Sequence, residues 1–231
     1  MSGINSMNVN GTDVTTKNFY LIKVPSIVKP QRRVRLINIP GRSGFLTEWS
    51  GDYEAYIKEP ELLYTGSTPD ADANFLRAAT RITFGNEPTL EYECRVDESV
   101  EMERERAGNY RVKLRLICQP LKKLITPTTS SGSTTYSITN AGNEIAYPKI
   151  VVTGAGSKTV TIGAQIITLA FAGAGETLTI DSLNGQVYDA SGNNAWSKLT
   201  GNLPFIPVSA SAITASTTGT SLTIYHNWRW S

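Results

Sequence analysis

The chain has 231 residues, a net charge of +2 and 40% hydrophobic residues, enough for one large β domain or two ordinary ones with modest cores. That charge balance gives no global reason to bind nucleic acid or an anionic membrane. One histidine, two cysteines and no CxxC leave no zinc framework, and no metal or cofactor site is expected.

The opening "MSGINSMNVNGTDVTTK" has neither a basic start nor an apolar run, so it does not read as a signal peptide. Charge then divides the chain: residues 1–125 hold 18 of the 22 Lys and Arg and 16 of the 20 Asp and Glu. The Ser/Thr-rich stretch at 126–136 reads as a linker. The expected organisation is therefore a first β domain over 1–125, that linker, and a second domain over 137–231.

In the first domain "FYLIKV" (19–24), "RRVRLINI" (32–39) and "YEAYIK" (53–58) predict short strands. Between the last two lies "NIPGRSGFLTEW" (38–49). Gly41 and Gly44 predict a sharp turn around Arg42, which could reach a backbone carbonyl or a neighbouring subunit's acid. Arg33 and Arg35 should share one strand face. A helix is predicted near 69–80, with Thr68 as cap, Pro69 in the first position, and Asp70 and Asp72 at the positive end of the dipole. Its inward face would hold Ala71, Phe75, Ala78 and Ala79, with Phe75 as anchor. One helix among many strands predicts a sandwich or barrel with a helix packed on it.

"ESVEMERERAGNYRVKLRLICQP" predicts a charged hairpin. Tyr110, Val112, Leu114, Leu116 and Cys118 alternate with Arg111, Lys113 and Arg115, so one face is buried. A three-residue loop at 107–109 would oppose Glu105 to Arg111, Glu103 to Lys113 and Glu101 to Arg115. These carboxylates read as a solvated or inter-subunit ladder rather than as general acids, since basic partners stand opposite. Cys94 and Cys118 read as reduced, buried thiols, with a disulfide as the alternative.

In the second domain "KTVTI", "QIITLAF", "ETLTI", "QVYD", "SAITA" and "SLTIY" predict six short strands of a β-sandwich, with Asn184-Gly185 the strongest hairpin signal. "GAGSKT" lacks the helix that a phosphate loop needs and reads as a hairpin turn. The sole histidine, His226, has no GxSxG elbow to serve, so no catalytic residue is expected. The charge-free stretch Leu199 to Trp228 is too broken by polar residues for a membrane span. The aromatic end "YHNWRW" and Trp196 offer one candidate surface, where Trp196, Trp228 and Trp230 could stack on a glycan or touch a partner; the alternative is that they close the sandwich edge.

Several features recur in a fixed order. They are Pro40-Gly41-Arg42 before an aromatic-rich strand, a hairpin ending in Cys118-Gln119-Pro120, Asn140-Ala141-Gly142-Asn143 with Tyr147-Pro148, and Asn227-Trp228-Arg229 near the close. In that order the chain, from about residue 16 to 231, resembles the distal tail proteins of long-tailed, non-contractile bacteriophages. The resemblance implies a mainly-β fold with a galectin-like second sandwich and a homo-oligomeric ring, usually a hexamer. It also implies a place in the virion at the distal end of the tail after assembly in the host cytoplasm. The ring would join the tail tube protein to a tail-tip hub protein, let DNA pass without sequence-specific binding, dock receptor-binding proteins and touch no membrane. A carbohydrate-binding module, or another tail-tube or tube-terminating subunit, are the alternative readings.

Overall fold

The computed structural model describes residues 5–97, 99–209 and 211–231. Met1–Ile4, which begin the segment read for a leader, lie outside the described residues, as do Glu98 and Ala210. The protein is mainly β with one α-helix, and its chain divides into two compact units at Ile125/Thr126.

The first unit runs β1 (Met7–Val9), β2 (Thr12–Asp13), β3 (Phe19–Lys23), β4 (Arg32–Asn38), β5 (Phe45–Tyr53), β6 (Tyr56–Lys58), β7 (Glu61–Tyr64), helix α1 (Pro69–Arg77), β8 (Arg81–Phe84), β9 (Leu90–Val96), β10 (Glu101–Arg104), β11 (Tyr110–Lys113), β12 (Leu116–Cys118) and β13 (Lys122–Leu124). One antiparallel sheet has the order β2-β1-β8-β9-β12-β6, with β13 also on β9, and a second has the order β10-β11-β7-β3. Inward residues of both sheets, including Val9, Phe84, Tyr92, Leu116, Phe19, Leu62 and Val112, form one core with Leu76 of the helix. Alternate residues of each strand supply that core because side chains alternate faces along a strand.

Helix α1 starts at Pro69, but its rotation differs from expectation. Leu76 and Ala79 are buried, Phe75 is only partly so, and Ala71 and Ala78 are exposed. The reason is tertiary. Asp72 accepts from the Tyr64 hydroxyl at 2.6 Å, and Leu76 follows Asp72 on the same helix face.

The charged hairpin is also corrected. Glu103 faces Arg111, Glu101 faces Lys113, and Arg104 faces Tyr110, two residues out of the expected register. A 3-10 turn at Arg106–Gly108, with Gly108 at φ 80°, lengthens the loop to five residues. A shift of two residues keeps every side chain on its expected face, so burial could not distinguish the two registers. The expected strand from Tyr110 to Cys118 breaks at Leu114 and Arg115, because β11 pairs with β7 whereas β12 pairs with β6 and β9.

The second unit runs β14 (Thr129–Ser133), β15 (Thr135–Ile138), β16 (Lys149–Ile162), β17 (Gln165–Asp181), β18 (Gln186–Asp189), β19 (Leu199–Thr200), β20 (Ile213–Thr217), β21 (Ser221–Tyr225) and β22 (Arg229–Trp230). Two expectations are corrected here. The expected linker holds β14 and the start of β15, which pair with β21 and β20; a Ser/Thr-rich edge suits a ladder as well as a coil. Second, "GAG" at 154–156 is no hairpin turn. It lies within the 14-residue β16, where the register against the 17-residue β17 shifts between Gly154 and Gly156. Gly156 at φ 66° supplies the left-handed backbone of that bulge. Before it β16 pairs with β21, after it with β20. Ile150, Val152, Val160, Ile162, Leu169, Leu178 and Ile180 are buried along the two long strands.

Candidate functional site

Among the described residues strands β4 and β5 pair only with each other, and from Arg32 to Gly51 every residue but the half-buried Ile37 is exposed. One face of the ribbon is apolar, with Val34, Leu36, Phe45 and Trp49 open on it, Leu36 57% and Phe45 58% exposed. Leu46 is open on the other face across from Ile37, and Ile39 is open at the tip. A two-stranded ribbon without a core of its own is marginal in water, and contiguous exposed apolar surface is the kind that protein, membrane and ligand contacts use.

Local chemistry holds the arm in shape. At its tip the six residues 39–44 turn with Gly41 and Gly44 at φ 80° and 85°, a conformation a Cβ would strain. Near its base the register shifts between the pairs Arg32–Tyr53 and Val34–Trp49. There Arg33 reaches Asp52 at 2.8 Å, and the Arg32 guanidinium lies 4.4 Å over the Trp49 ring. The shift separates the two arginines expected to act together: Arg33 is paired, while Arg35 stands across from Glu48. Neither Arg35 nor Arg42 has an ion-pair partner among the described residues. Arg42 is tied only through its backbone N–H, which donates to the Ile39 carbonyl at 3.2 Å.

The carboxylates of β10 lie at a sheet edge. Glu105, beyond the ladder, accepts from Arg111 at 2.7 Å, and Arg111 also lies 3.8 Å from Glu61, which lies 3.6 Å from Lys23. Arg115 turns to Asp97 at 3.5 Å rather than to Glu101. Glu101 and Glu103 face Lys113 and Arg111 in register without an ion pair between them. Exposed pairs like these contribute only about 0–1 kcal/mol each.

Beneath the first unit's surface two lysines are buried. Lys58 donates to the Ser26 carbonyl at 2.7 Å and lies 4.5 Å over the Tyr92 ring. Lys122 pairs with Glu87 at 2.8 Å, and Glu87 also accepts from the Tyr92 hydroxyl. Burial holds the Lys58 ammonium below its ordinary pKa and pushes the Tyr56 phenol up.

In the second unit the three tryptophans form no common platform. Trp228 is 4% exposed and packs its ring 4.6 Å from that of His226, so it cannot stack on a sugar, a correction to the expected surface. Trp230 is half-buried. Trp196 is 41% exposed and lines a shallow pocket with Gln186, Tyr188 and Asn194. The segments that carried the family resemblance meet one another instead. Asn227 donates to the Tyr147 carbonyl at 3.0 Å, and the Arg229 guanidinium sits 5.8 Å over the Tyr147 ring. Gly142 approaches the Arg229 carbonyl so closely that a Cβ there would lie 2.3 Å from it. Those residues are structural.

Sequence reasoning missed Val34, Leu36, Phe45 and Trp49. Their alternation is that of any half-buried strand, and nothing local says whether the cover comes from the same chain or another.

No protein-family model matches the sequence, and no curated protein does. Among solved structures, that of the SPP1 Dit protein (gp 19.1) matches with a TM-score of 0.75 at 17% identity, over 96% of this chain and 98% of that one. That protein is described as a paradigm of the hub adsorption apparatus in phages infecting Gram-positive hosts. The two chains share a fold along nearly their whole lengths.

Proposed function

We propose that this chain is a structural component of a phage tail: a distal tail protein whose copies close into a ring, a hexamer in the favoured arrangement. The ring joins the tail tube to the tip or baseplate hub, leaves a passage for DNA, and carries galectin-like second domains that dock receptor-binding proteins. It works without catalysis, in the virion, after assembly in the host cytoplasm. The shared fold with a hub protein supports the setting. The β4–β5 arm carries the reading, because its apolar surface has no cover among the described residues.

Charge suggests where the arm goes. Arg35 and Arg42 bring positive charge that the arm does not pair, and the open edge of β10 presents Glu101 and Glu103. An arm of one copy laid on the β10 edge of the next is a head-to-tail contact, which closes into a ring when its rotation divides the circle. Unpaired ladder groups on both edges add backbone hydrogen bonds to that contact.

The test is the native mass of the purified full chain over a concentration series, followed by negative-stain images. A closed particle of one defined copy number with a central hole is expected. A chain that stays monomeric at high concentration, both alone and with its tail-tube protein, overturns the reading.

A further inference from the structure

We propose that Cys94 and Cys118 are an oxidation site: a cross-strand pair that closes into a disulfide when the protein meets a peroxide and reopens with small thiols.

The ladder between β9 and β12 supplies the geometry. The Gln119 N–H donates to the Glu93 carbonyl at 2.7 Å and the Asp97 N–H to the Arg115 carbonyl at 2.9 Å, so 93/119 and 97/115 are hydrogen-bonded pairs. Pairs alternate along an antiparallel ladder, which makes Cys94 and Cys118, directly opposite each other, a non-hydrogen-bonded pair. The Cys94 N–H confirms this by donating away from Cys118, to the Thr80 carbonyl at 2.9 Å. Residues in such pairs have Cα atoms about 4.5 Å apart, at the short end of the roughly 4.4–6.8 Å that disulfides span. A bond can therefore form without moving the strands. Being near the limit, it is strained, which makes it easy to reduce.

Surroundings assign roles to the two sulfurs. Both are free and buried. Cys94 keeps 8% exposure and borders a surface depression of about 390 Å³ lined by Thr80, Arg95, Ile117 and Gln119, a path wide enough for peroxide. Cys118 has no exposed surface, and its Sγ lies 4.0 Å from the Leu116 carbonyl oxygen. Cys94 is therefore the sulfur that peroxide reaches, and Cys118 the resolving thiol.

The chemistry balances with peroxide as oxidant. The Cys94 thiolate attacks one peroxide oxygen, breaking the O–O bond to give a sulfenic acid and hydroxide. Cys118 sulfur then displaces the sulfenic hydroxyl, and the S–S bond forms. The two thiols lose two electrons and two protons, and the peroxide leaves as two waters. The new bond closes the segment that contains β10 and β11. A reducing cytoplasm keeps the pair open, and an oxidising medium closes it.

The test uses the full chain treated with hydrogen peroxide, quenched, unfolded and alkylated with N-ethylmaleimide, then weighed intact. Untreated protein should take two adducts. Treated protein should take none, lose about 2 Da, and yield a peptide joining the Cys94 and Cys118 strands, and millimolar glutathione should restore both adducts. In Cys118→Ser, peroxide should leave a sulfenic acid on Cys94 that dimedone traps. Two alkylable thiols after treatment, oxygen gained on cysteine without a cross-link, or cross-links only between chains would overturn the proposal. The wild-type masses decide it even if the variant does not fold.

Discussion

The hydroxyl of Tyr64 donates to Oδ2 of Asp72 at 2.6 Å, fastening the first turn of α1 to the end of β7. Two bonds from Thr68 complete the clasp: its N–H donates to the Tyr64 oxygen at 3.0 Å, and its Oγ1 donates to Asp72 Oδ2 at 3.0 Å. Tyr64→Phe leaves that N–H without its acceptor and should destabilise the first unit by about 1–2 kcal/mol in urea unfolding. Gly66→Ala should act on the same clasp, because its Cβ would lie 2.4 Å from the Tyr64 hydroxyl oxygen.

The clasp also predicts an acid dependence. The Tyr64 hydrogen bond holds the Asp72 carboxyl below its ordinary pKa. A depressed folded value means that the contribution is present above the unfolded pKa of about 3.9 and is lost as pH falls through the lower folded value. Asp72→Asn should therefore cost stability at pH 7 and much less in strong acid. Equal losses at both ends of a urea-unfolding pH series would contradict the clasp.

Particular residues show what was legible in the sequence. Pro69 and the two aspartates announced the start of α1, since those preferences belong to the helix terminus itself. They could not announce that Asp72 is held by Tyr64, which turns Leu76 inward in place of Phe75. In the β10–β11 hairpin, alternation fixed which residues share a face but not the loop length. Gly154 and Gly156 looked like a turn because a turn and a bulge both require left-handed backbone; the strands on either side decide between them. The arm was least legible, since nothing among the described residues covers its apolar face and alternation alone cannot show that.

Charged substitutions on the arm should separate assembly from folding. Leu36→Asp and Phe45→Asp alter exposed positions and should leave the melting temperature of the monomer almost unchanged, within about 0.5 kcal/mol. Burial of one such side chain in a contact is worth about 1.5–3 kcal/mol, so each change should weaken self-association at least about tenfold. Native mass across a dilution series reads this directly. Assembly as tight as the wild type would remove the arm from the interface.

Glu87 should be far more sensitive than the exposed glutamates of β10. It pairs with Lys122 at side-chain exposures of 12% and 4% and also accepts from Tyr92. Glu87→Ala strands a buried ammonium and should cost about 3–5 kcal/mol, whereas adding Lys122→Met should recover most of it. Denaturant unfolding of the two variants tests the coupling. Additive losses would show that the pair does not act as a unit.

Backbone approach sets a different expectation for two glycines in the second unit. Gly142→Ala drives a Cβ to 2.3 Å from the Arg229 carbonyl oxygen, while a Cβ at Gly173 meets nothing within 4 Å. Overpacking against backbone costs about 1–3 kcal/mol or more. Gly142→Ala should lower the melting temperature of the second unit by several degrees, with Gly173→Ala as a near-neutral control.

His226 gives the second unit its own acid response. Its Nε2 lies 2.9 Å from Ser130 Oγ, its backbone N–H donates to the Thr128 carbonyl at 3.0 Å, and its ring packs against Trp228. Nδ1 has no partner among the described residues, and burial holds the imidazole below its ordinary pKa. The folded unit therefore keeps the ring neutral where the unfolded chain protonates it. Stability present above the unfolded value of about 6.5 should be lost as pH falls from there through the folded value. Ser130 lies in β14, so the loss should begin where that strand meets β21. His226→Gln keeps a hydrogen-bonding group but cannot titrate; its melting temperature should start lower at pH 7.5 and change less between pH 7 and 5. Protection of Ser130 and nearby β14 amides against hydrogen exchange, measured relative to the intrinsic rate at each pH, should fall over the same interval in the wild type alone. Parallel pH profiles for the two proteins would mean that the buried imidazole does not set the acid response.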